Sequence, residues 1–286
     1  MEPDDGLVWR WEITMKRFYL LAIGALVLMA APAFTQAPSL PQPASVYLEE
    51  LTWMEVRDAI AAGKTTVIIP TGGTEQNGPH MVLGKHNFLV KHKAGEIAKN
   101  LGNALVAPVV AYVPEGEIEP PTGHMRFAGT ITTPQDVFVK VLEYAARSFK
   151  QHGFVDVVLI GDSGGNQEGQ KIVAAALNKE WAATPARVHH ITSYYPGRGD
   201  DWVVSQGVSA ADVGSHAGTH DTASLMYINP SMLRFDKLVP GKQGDGQGHV
   251  GNPAKATAIF GKRILEMQIE DATAQIRELR VSSRRR

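Results

Sequence analysis

Short runs of β-branched and apolar residues alternate along this chain with segments of helical spacing. The predicted strands are Thr65–Pro70, Ala104–Val113, Val155–Ile160 and Arg187–Tyr195. The predicted helices are Asn87–Asn100, a segment from Thr133-Pro134 to about Gln151, Gln167–Trp181 and a long segment within Pro253–Leu279. This alternation constrains the fold more than any other feature, because it predicts an α/β protein with a parallel or mostly parallel sheet covered by helices.

Composition removes several functional classes. The chain has 286 residues, a formal net charge of −1 and no cysteine. A charge this close to zero provides no basic surface for nucleic acid, so we expect no nucleic-acid partner. The absence of cysteine excludes a disulfide scaffold, a cysteine-ligated metal site and a thiol nucleophile.

The N-terminus predicts export. Lys16-Arg17 precedes an apolar run, Phe18–Ala31, and Ala31-Pro32-Ala33 forms a small-residue cleavage site. We therefore divide the chain into a signal peptide at 1–33, with 1–14 as an extra start region, a Pro-rich linker at 34–44 and a domain at 45–286. The protein is then periplasmic or secreted, with no membrane span after cleavage. An uncleaved anchor is the alternative, although the run is short for a span of about 20 residues.

Polar residues follow the predicted strands, where parallel sheets bind ligands. The loop after the first strand, Pro70–Asn87, contains Glu75, His80 and His86. A carboxylate with imidazoles at a strand end is the composition of a metal site. A polar turn with surface histidines is the alternative interpretation.

Three further segments carry reactive side chains. His124 lies after the second predicted strand, and it could be a base, a ligand or a surface residue. Gly161–Asn166 reads GDSGGN and joins a strand to a helix, a context that argues against the serine-protease motif it resembles. Near position 220, His216 and Asp221 stand close together, and Asp221 could also cap a helix.

These segments together resemble, in order, the motifs of the creatininase (creatinine amidohydrolase) family. The first loop is similar to G-x-x-E-Q-H-G-P-H-L-P-x-x-x-D, and His124–Thr130 is similar to H-x-x-F-P-G-T. Gly161–Asn166 resembles N-G-H-G-G-N, and His216–Thr222 resembles H-A-G-x-x-E-T. Residues 251–263 resemble G-D-P-x-x-A-T-A-x-x-G-R.

The resemblance implies a three-layer α/β/α sandwich with a mostly parallel central sheet. It implies a homo-oligomer, often a hexamer, that hydrolyses a C–N bond of a small cyclic or linear amide. It also implies a pair of divalent metal ions, usually Zn²⁺ or Mn²⁺. Such a metal lowers the pKa of a bound water and polarises the amide carbonyl.

The chain departs from the family pattern at four ligand positions. Asn77 and Ser163 stand where the family has histidine, His86 replaces the bridging Asp, and Asp221 replaces Glu. An imidazole does not bridge two cations as a carboxylate does. We therefore expect one metal per subunit, Zn or Mn, with Fe as a further candidate.

The resulting assignment separates ligands from acid–base groups. The predicted metal ligands are Glu75, His86, Asp162 and Asp221, with His80 as a substitute. The predicted general acid or base is His216, followed by His124. Two alternatives stay open. One is a binding or scaffold protein that kept the fold and lost the metal pair. The other is a hydrolase that uses Ser163 as its nucleophile.

Overall fold

The structure, a computed structural model, describes residues 45–195 and 198–284. The predicted signal peptide and linker at 1–44 lie outside these residues. Within the described part, no helix has the length and apolarity that crossing a membrane requires.

Four strands and eight α-helices form the described domain. The strands are β1 (Thr66–Thr71), β2 (Ala104–Val106), β3 (Asp156–Gly161) and β4 (Arg187–His190). The first four helices are α1 (Trp53–Ala61), α2 (Lys85–Leu101), α3 (Gln135–Gln151) and α4 (Asn166–Glu180). The others are α5 (Gly199–Ser205), α6 (Ala210–Val213), α7 (Thr219–Ile228) and α8 (Ala258–Ser283).

All strand pairs in the sheet are parallel, and the strand order is β2-β1-β3-β4. The two central strands pair along their whole length, from Thr66 opposite Asp156 to Thr71 opposite Gly161. Their carboxyl ends therefore meet at one edge of the sheet. The loops that follow β1 and β3 begin side by side at this edge.

Successive side chains of a strand point to opposite faces, and here both faces are covered. Ile68, Val158 and Ile160 belong to a core that includes residues of α2, α7 and α8. Val67 and Leu159 belong to a second core with residues of α1, α3 and α4. This arrangement confirms the predicted three-layer α/β/α sandwich with a parallel sheet.

Two predicted strands are wrong in extent. The predicted strand Ala104–Val113 ends at Val106, before Pro108, which has no N–H to donate to a ladder. The predicted strand Arg187–Tyr195 ends at His190, and a 3₁₀ turn, Thr192–Tyr194, follows. This turn places Tyr194 inside the protein, against the functional site described below.

The helix predictions differ at their ends. The segment Pro253–Leu279 divides into a 3₁₀ turn, Pro253–Lys255, and α8, whose N-cap Thr257 accepts a hydrogen bond from the Phe260 N–H. Helix α2 begins two residues earlier than predicted, at Lys85. Helix α3 begins at Gln135, so Pro134 is its N-cap. The sequence patterns did not predict α1, α5 or α6.

Candidate active site

A cavity of about 800 Å³ opens at the carboxyl ends of β1 and β3. The loop after β1 contributes Glu75 and Gln76, and Asp162 is the residue that follows β3. The 3₁₀ turn Gly123–Arg126 contributes His124, and the segment before α7 contributes His216. The topology thus brings residues that are distant in sequence to one edge of the sheet, where α/β proteins bind ligands.

Glu75 lies at the centre of the site, and its two carboxylate oxygens have different surroundings. Oε1 accepts a hydrogen bond from His86 Nε2 at 2.8 Å and lies 3.7 Å from Lys85 Nζ. Oε2 is buried and has no hydrogen-bond partner among the described residues, and His124 Nε2 lies 3.1 Å from it. Burial alone would raise the pKa of Glu75, but the charge and hydrogen bond of His86 and the charge of Lys85 hold it well below its usual value.

Gln76 orients the two histidines that face Glu75. Its side-chain Oε1 pairs with His124 Nδ1 at 3.0 Å, and its backbone carbonyl pairs with His216 Nε2 at 2.8 Å. Both of these atoms of Gln76 are acceptors, so each ring donates its N–H to Gln76. The remaining nitrogens, His124 Nε2 and His216 Nδ1, keep free lone pairs that face Glu75.

Both histidines are neutral at physiological pH. Burial, reinforced by the charge of Lys85, lowers the pKa of His216 to about 4. Burial also lowers the pKa of His124. A metal-binding histidine must be neutral, so these two rings are ready to bind a cation without losing a proton.

The donor set fits one divalent metal ion. One oxygen of Glu75 and one nitrogen each of His124 and His216 lie within 4.8 Å of one another. A carboxylate with two imidazoles is a common ligand set for Zn²⁺ and related ions. The unpartnered Glu75 Oε2 and the imidazole nitrogen opposite it are both acceptors, and a cation between them would satisfy both.

A second group of charges contacts Glu75 through His86. His86 donates from both ring nitrogens, to Glu75 Oε1 and, at 2.9 Å, to Asp162 Oδ2. Burial and the charge of Lys85 would lower the pKa of His86, but the charge of Glu75 and the hydrogen bonds to both carboxylates raise it to about 9. His86 is therefore an imidazolium between two carboxylates at neutral pH.

Two buried lysines from α2 complete this group. Lys93 Nζ donates to Asp162 Oδ1, which also accepts from Tyr194 Oη at 2.6 Å. Lys85 Nζ donates to Asp221 Oδ2 at 2.9 Å. Both lysines are at most 2% exposed. We call Lys85, His86, Lys93, Asp162 and Asp221 the ammonium cluster.

The acids of the ammonium cluster are ionised. Burial would raise the pKa of Asp162, but Lys93 and His86 lower it to about 2. The pKa of Asp221 also lies well below its usual value, because the charge of Lys85 outweighs burial. Within the cluster, therefore, each carboxylate has a cationic partner from the protein itself.

The structure brings the predicted site residues together but gives them different partners. Glu75, His124 and His216 form the group able to hold a metal ion. Of the other predicted ligands, His86 uses both ring nitrogens in hydrogen bonds, and Asp162 and Asp221 accept from lysines. The ligand and acid–base assignments stay predictions, because the free lone pairs of the two histidines could serve either role.

The remaining candidates take structural contacts. His80 is fully buried, and its Nε2 lies 3.1 Å from the Ala217 carbonyl. The side-chain amide of Asn77 donates to the Glu75 and Val82 carbonyls and thereby braces the loop. Ser163 Oγ lines the cavity, and its hydrogen-bond partner among the described residues is the Gly165 N–H.

Sequence reasoning missed Gln76, Lys85, Lys93 and Glu115. Lys85 and Lys93 are eight residues apart on α2 and share its buried face with Leu89 and Ile97, a spacing that could have indicated burial. Glu115 lies in the loop after β2 and lines the cavity. Burial, the neighbouring charge of Glu75 and a hydrogen bond with that carboxylate raise its pKa to about 9, so it adds no charge to the site at neutral pH.

Comparison with known proteins identifies the family. The family model for creatininases, described as creatinine amidohydrolase, matches residues 49–276. The chain is 28% identical over 234 residues to the mycofactocin precursor peptide peptidase of Mycolicibacterium smegmatis, covering 74% of this chain and 84% of that protein. It is 24% identical over 204 residues to the creatinine amidohydrolase of Pseudomonas putida, covering 68% and 76%.

Solved structures agree in fold. A creatininase variant described as a Zn–Zn type and a creatininase described as the Mn form each give a TM-score of 0.66 at 22% identity. Each match covers 82% of this chain and 98% of the other. The fold and the site define a family of α/β hydrolases, and this chain belongs to the creatininase family.

Proposed function

We propose that the protein is a metal-dependent hydrolase that cleaves the C–N bond of a small cyclic or linear amide. The observation that carries this proposal is the group formed by Glu75, His124 and His216. An unpartnered carboxylate oxygen and two neutral imidazole nitrogens converge there at the wall of a cavity. Relatives named as a peptidase and as an amidohydrolase support the same reaction class.

The protein's own residues prepare this site for a single ion. Gln76 fixes the tautomers of both histidines. His86 donates to Glu75 Oε1, whereas Oε2 has no hydrogen-bond partner among the described residues and is left for the ion. When bound there, a divalent ion such as Zn²⁺ or Mn²⁺ would lower the pKa of a water molecule and polarise the substrate carbonyl. Glu115, whose carboxyl is neutral, stands beside Glu75 without adding a competing charge.

The cavity supports a substrate of small-molecule size or the end of a peptide. Its volume of about 800 Å³ lies within the range of roughly 300–1,000 Å³ that is usual for small-ligand sites. The cavity is also lined by exposed charged side chains, those of Arg126, Lys242 and Asp245. Screening should therefore include cyclic amides, linear amides and short peptides.

Metal analysis combined with activity tests the proposal. We expect bound Zn or Mn in the purified protein, loss of hydrolysis with a chelator and recovery when the metal is returned. The double variant His124→Ala, His216→Ala should lose the metal. The variant His152→Ala, which changes an exposed histidine after α3, is the matched control.

A second candidate is a binding protein of the same fold without catalysis. The ammonium cluster favours it, because Lys85 and Lys93 neutralise Asp221 and Asp162 without any metal. A purified chain that holds no metal after reconstitution and hydrolyses none of the amides would support this candidate and overturn the first.

We also propose that the protein is exported and that its signal peptide is removed after Ala33. Lys16-Arg17, the apolar run Phe18–Ala31 and the following small residues support this location. Mass spectrometry of the N-terminus of protein recovered from the periplasm or medium tests it. A mature chain that still carries Phe18–Ala31 would contradict cleavage.

We further propose a homo-oligomer, on the basis of the family resemblance. Light scattering coupled to size-exclusion chromatography gives the subunit number directly. A monomer at micromolar concentration would contradict this proposal and leave the metal site unaffected.

A further inference from the structure

Three carboxylates of the site meet three cations that the chain itself provides. The carboxylates are Glu75, Asp162 and Asp221, and the cations are Lys85, Lys93 and His86. Five of these six side chains are at most 8% exposed. The side chain of Asp221 is 24% exposed, towards the cavity.

Both oxygens of Asp162 accept hydrogen bonds from the protein. Oδ1 accepts from Lys93 Nζ and Tyr194 Oη, and Oδ2 accepts from His86 Nδ1. Lys93 Nζ also lies 3.2 Å from Gln268 Oε1 and 4.4 Å from the centre of the Tyr194 ring. A metal ion at Asp162 Oδ1 would have to displace this ammonium group from a site that offers it three partners.

Asp221 and Glu75 are held in a similar way by Lys85. Lys85 Nζ donates to Asp221 Oδ2, which also accepts from the Ala217 N–H at 2.8 Å. The same ammonium lies 3.7 Å from Glu75 Oε1. Because Lys85 is 1% exposed, its charge depends on nearby carboxylates, chiefly Asp221 and Glu75 with a smaller contribution from Asp162.

We infer, building on the metal site proposed above, that Lys85 and Lys93 take the place of a second metal ion, so that the protein binds one divalent ion and not two. The single ion would be held by Glu75, His124 and His216, whose ligand atoms lie within 4.8 Å of one another. The lysines supply the positive charge that balances Asp162 and Asp221. The site thereby differs from the Zn–Zn form described for a creatininase of similar fold.

The first measurement is the metal stoichiometry of the full-length protein. Apo-protein prepared with a chelator is titrated calorimetrically with ZnCl₂ and MnCl₂, and elemental analysis follows removal of excess metal. We expect one equivalent per chain. Two equivalents would overturn the inference and leave the proposed hydrolase standing, whereas zero equivalents would overturn the proposed metal site.

The second measurement tests the lysines independently of the first. In metal-free protein, Lys93→Met should lower Tm by roughly 10 °C, because Asp162 loses its buried cation. Lys93→Arg, which keeps a cation, should recover most of this loss. Lys91→Met is the matched control on the same helix, because Lys91 pairs with Glu49 at the exposed surface.

If Lys93 replaces a metal ion, the Lys93→Met variant should also respond to added metal. A divalent ion beyond the first equivalent should raise the Tm of this variant and leave the Tm of the Lys91→Met variant unchanged. An unchanged Tm in metal-free Lys93→Met would overturn the inference. A loss that neither Lys93→Arg nor added metal recovers would also overturn it, since Lys93 would then act through packing alone. If Lys93→Met fails to fold, the behaviour of Lys93→Arg and the wild-type stoichiometry still decide the matter.

Discussion

Glu75 separates two regions that use the same residue types in opposite ways. On one side, the ammonium cluster pairs each carboxylate with a cation from the chain. On the other side, two histidines turn free lone pairs towards the Glu75 carboxylate. His124 Nε2 lies 3.1 Å from Oε2, which has no hydrogen-bond partner among the described residues, and His216 Nδ1 lies 3.6 Å from Oε1. We call the side of the ammonium cluster the closed side and the side of the two histidines the open side. The comparison shows that charge balance decides which carboxylates the protein neutralises itself and where a metal ion can bind.

The largest expected effect comes from removing an acid of the closed side. Asp162→Asn leaves Lys93 and His86 buried without their shared carboxylate, and breaking a buried ion pair costs about 3–5 kcal/mol. Urea unfolding of metal-free protein measures this loss. Glu168→Gln, which changes an exposed ion pair on α4, should cost less than about 1 kcal/mol. Equal losses in the two variants would contradict the comparison.

The second effect is a dependence of the free energy of unfolding on pH, which arises from His86. Its pKa is about 9 in the folded protein against an ordinary value of 6.5. A raised pKa contributes stability that is fully present below pH 6.5 and is lost as the pH rises through 9. The loss is on the order of 3 kcal/mol.

Unfolding of metal-free protein at pH 6 and pH 9.5 measures this dependence. His86→Gln is measured in parallel, so that other groups that titrate in the same range cancel. A pH dependence that is the same in both proteins would show that His86 is not an imidazolium in the folded state.

The third effect concerns the open side. Gln76→Ala removes the acceptor that fixes the tautomer of His124. Loss of such a partner weakens metal binding by about 10- to 100-fold, or about 1.4–2.7 kcal/mol. Competition with a metal-binding dye measures the affinity, and Gln247→Ala, at an exposed loop position, is the control. An unchanged affinity would mean that His124 does not bind the ion.

The smallest expected effect is the response of metal binding to acid. The pKa of His216 is about 4, so a proton competes little for its ring nitrogen at pH 5. Between pH 7 and pH 5 this competition should change metal affinity by less than about twofold, whereas an ordinary histidine would change it by roughly 30-fold. Dye competition at the two pH values distinguishes the cases. A steep fall in affinity would show that His216 or the other histidine of the site, His124, takes up a proton in this range.

The α/β fold could be predicted because its signals are local. β1 and β3 lie within one residue of their predicted bounds, since both are buried apolar runs. β2 and β4 are shorter than predicted because strand length depends on neighbouring strands, and both are edge strands. The motifs after β1 and β3 also located the edge of the sheet where the cavity lies.

The charges of the site could not be predicted in the same way. A lysine such as Lys93 is most often solvated, and only the packing of α2 against α8 shows that it is buried. Gln76 was also missed, because its role depends on two histidines that are 48 and 140 residues away in sequence. These properties depend on tertiary contacts, which a single sequence does not display.

Both acceptors that orient the histidines belong to Gln76, in a loop that Asn77 braces by hydrogen bonds to two carbonyls. His124 and His216 therefore do not release their orientation independently. A local opening of this loop would free both rings in one event, so we expect the dissociation rate of the ion to follow the opening rate of the loop. The residence time of the metal would then be a property of backbone motion, adjustable by substitutions that touch none of its ligands.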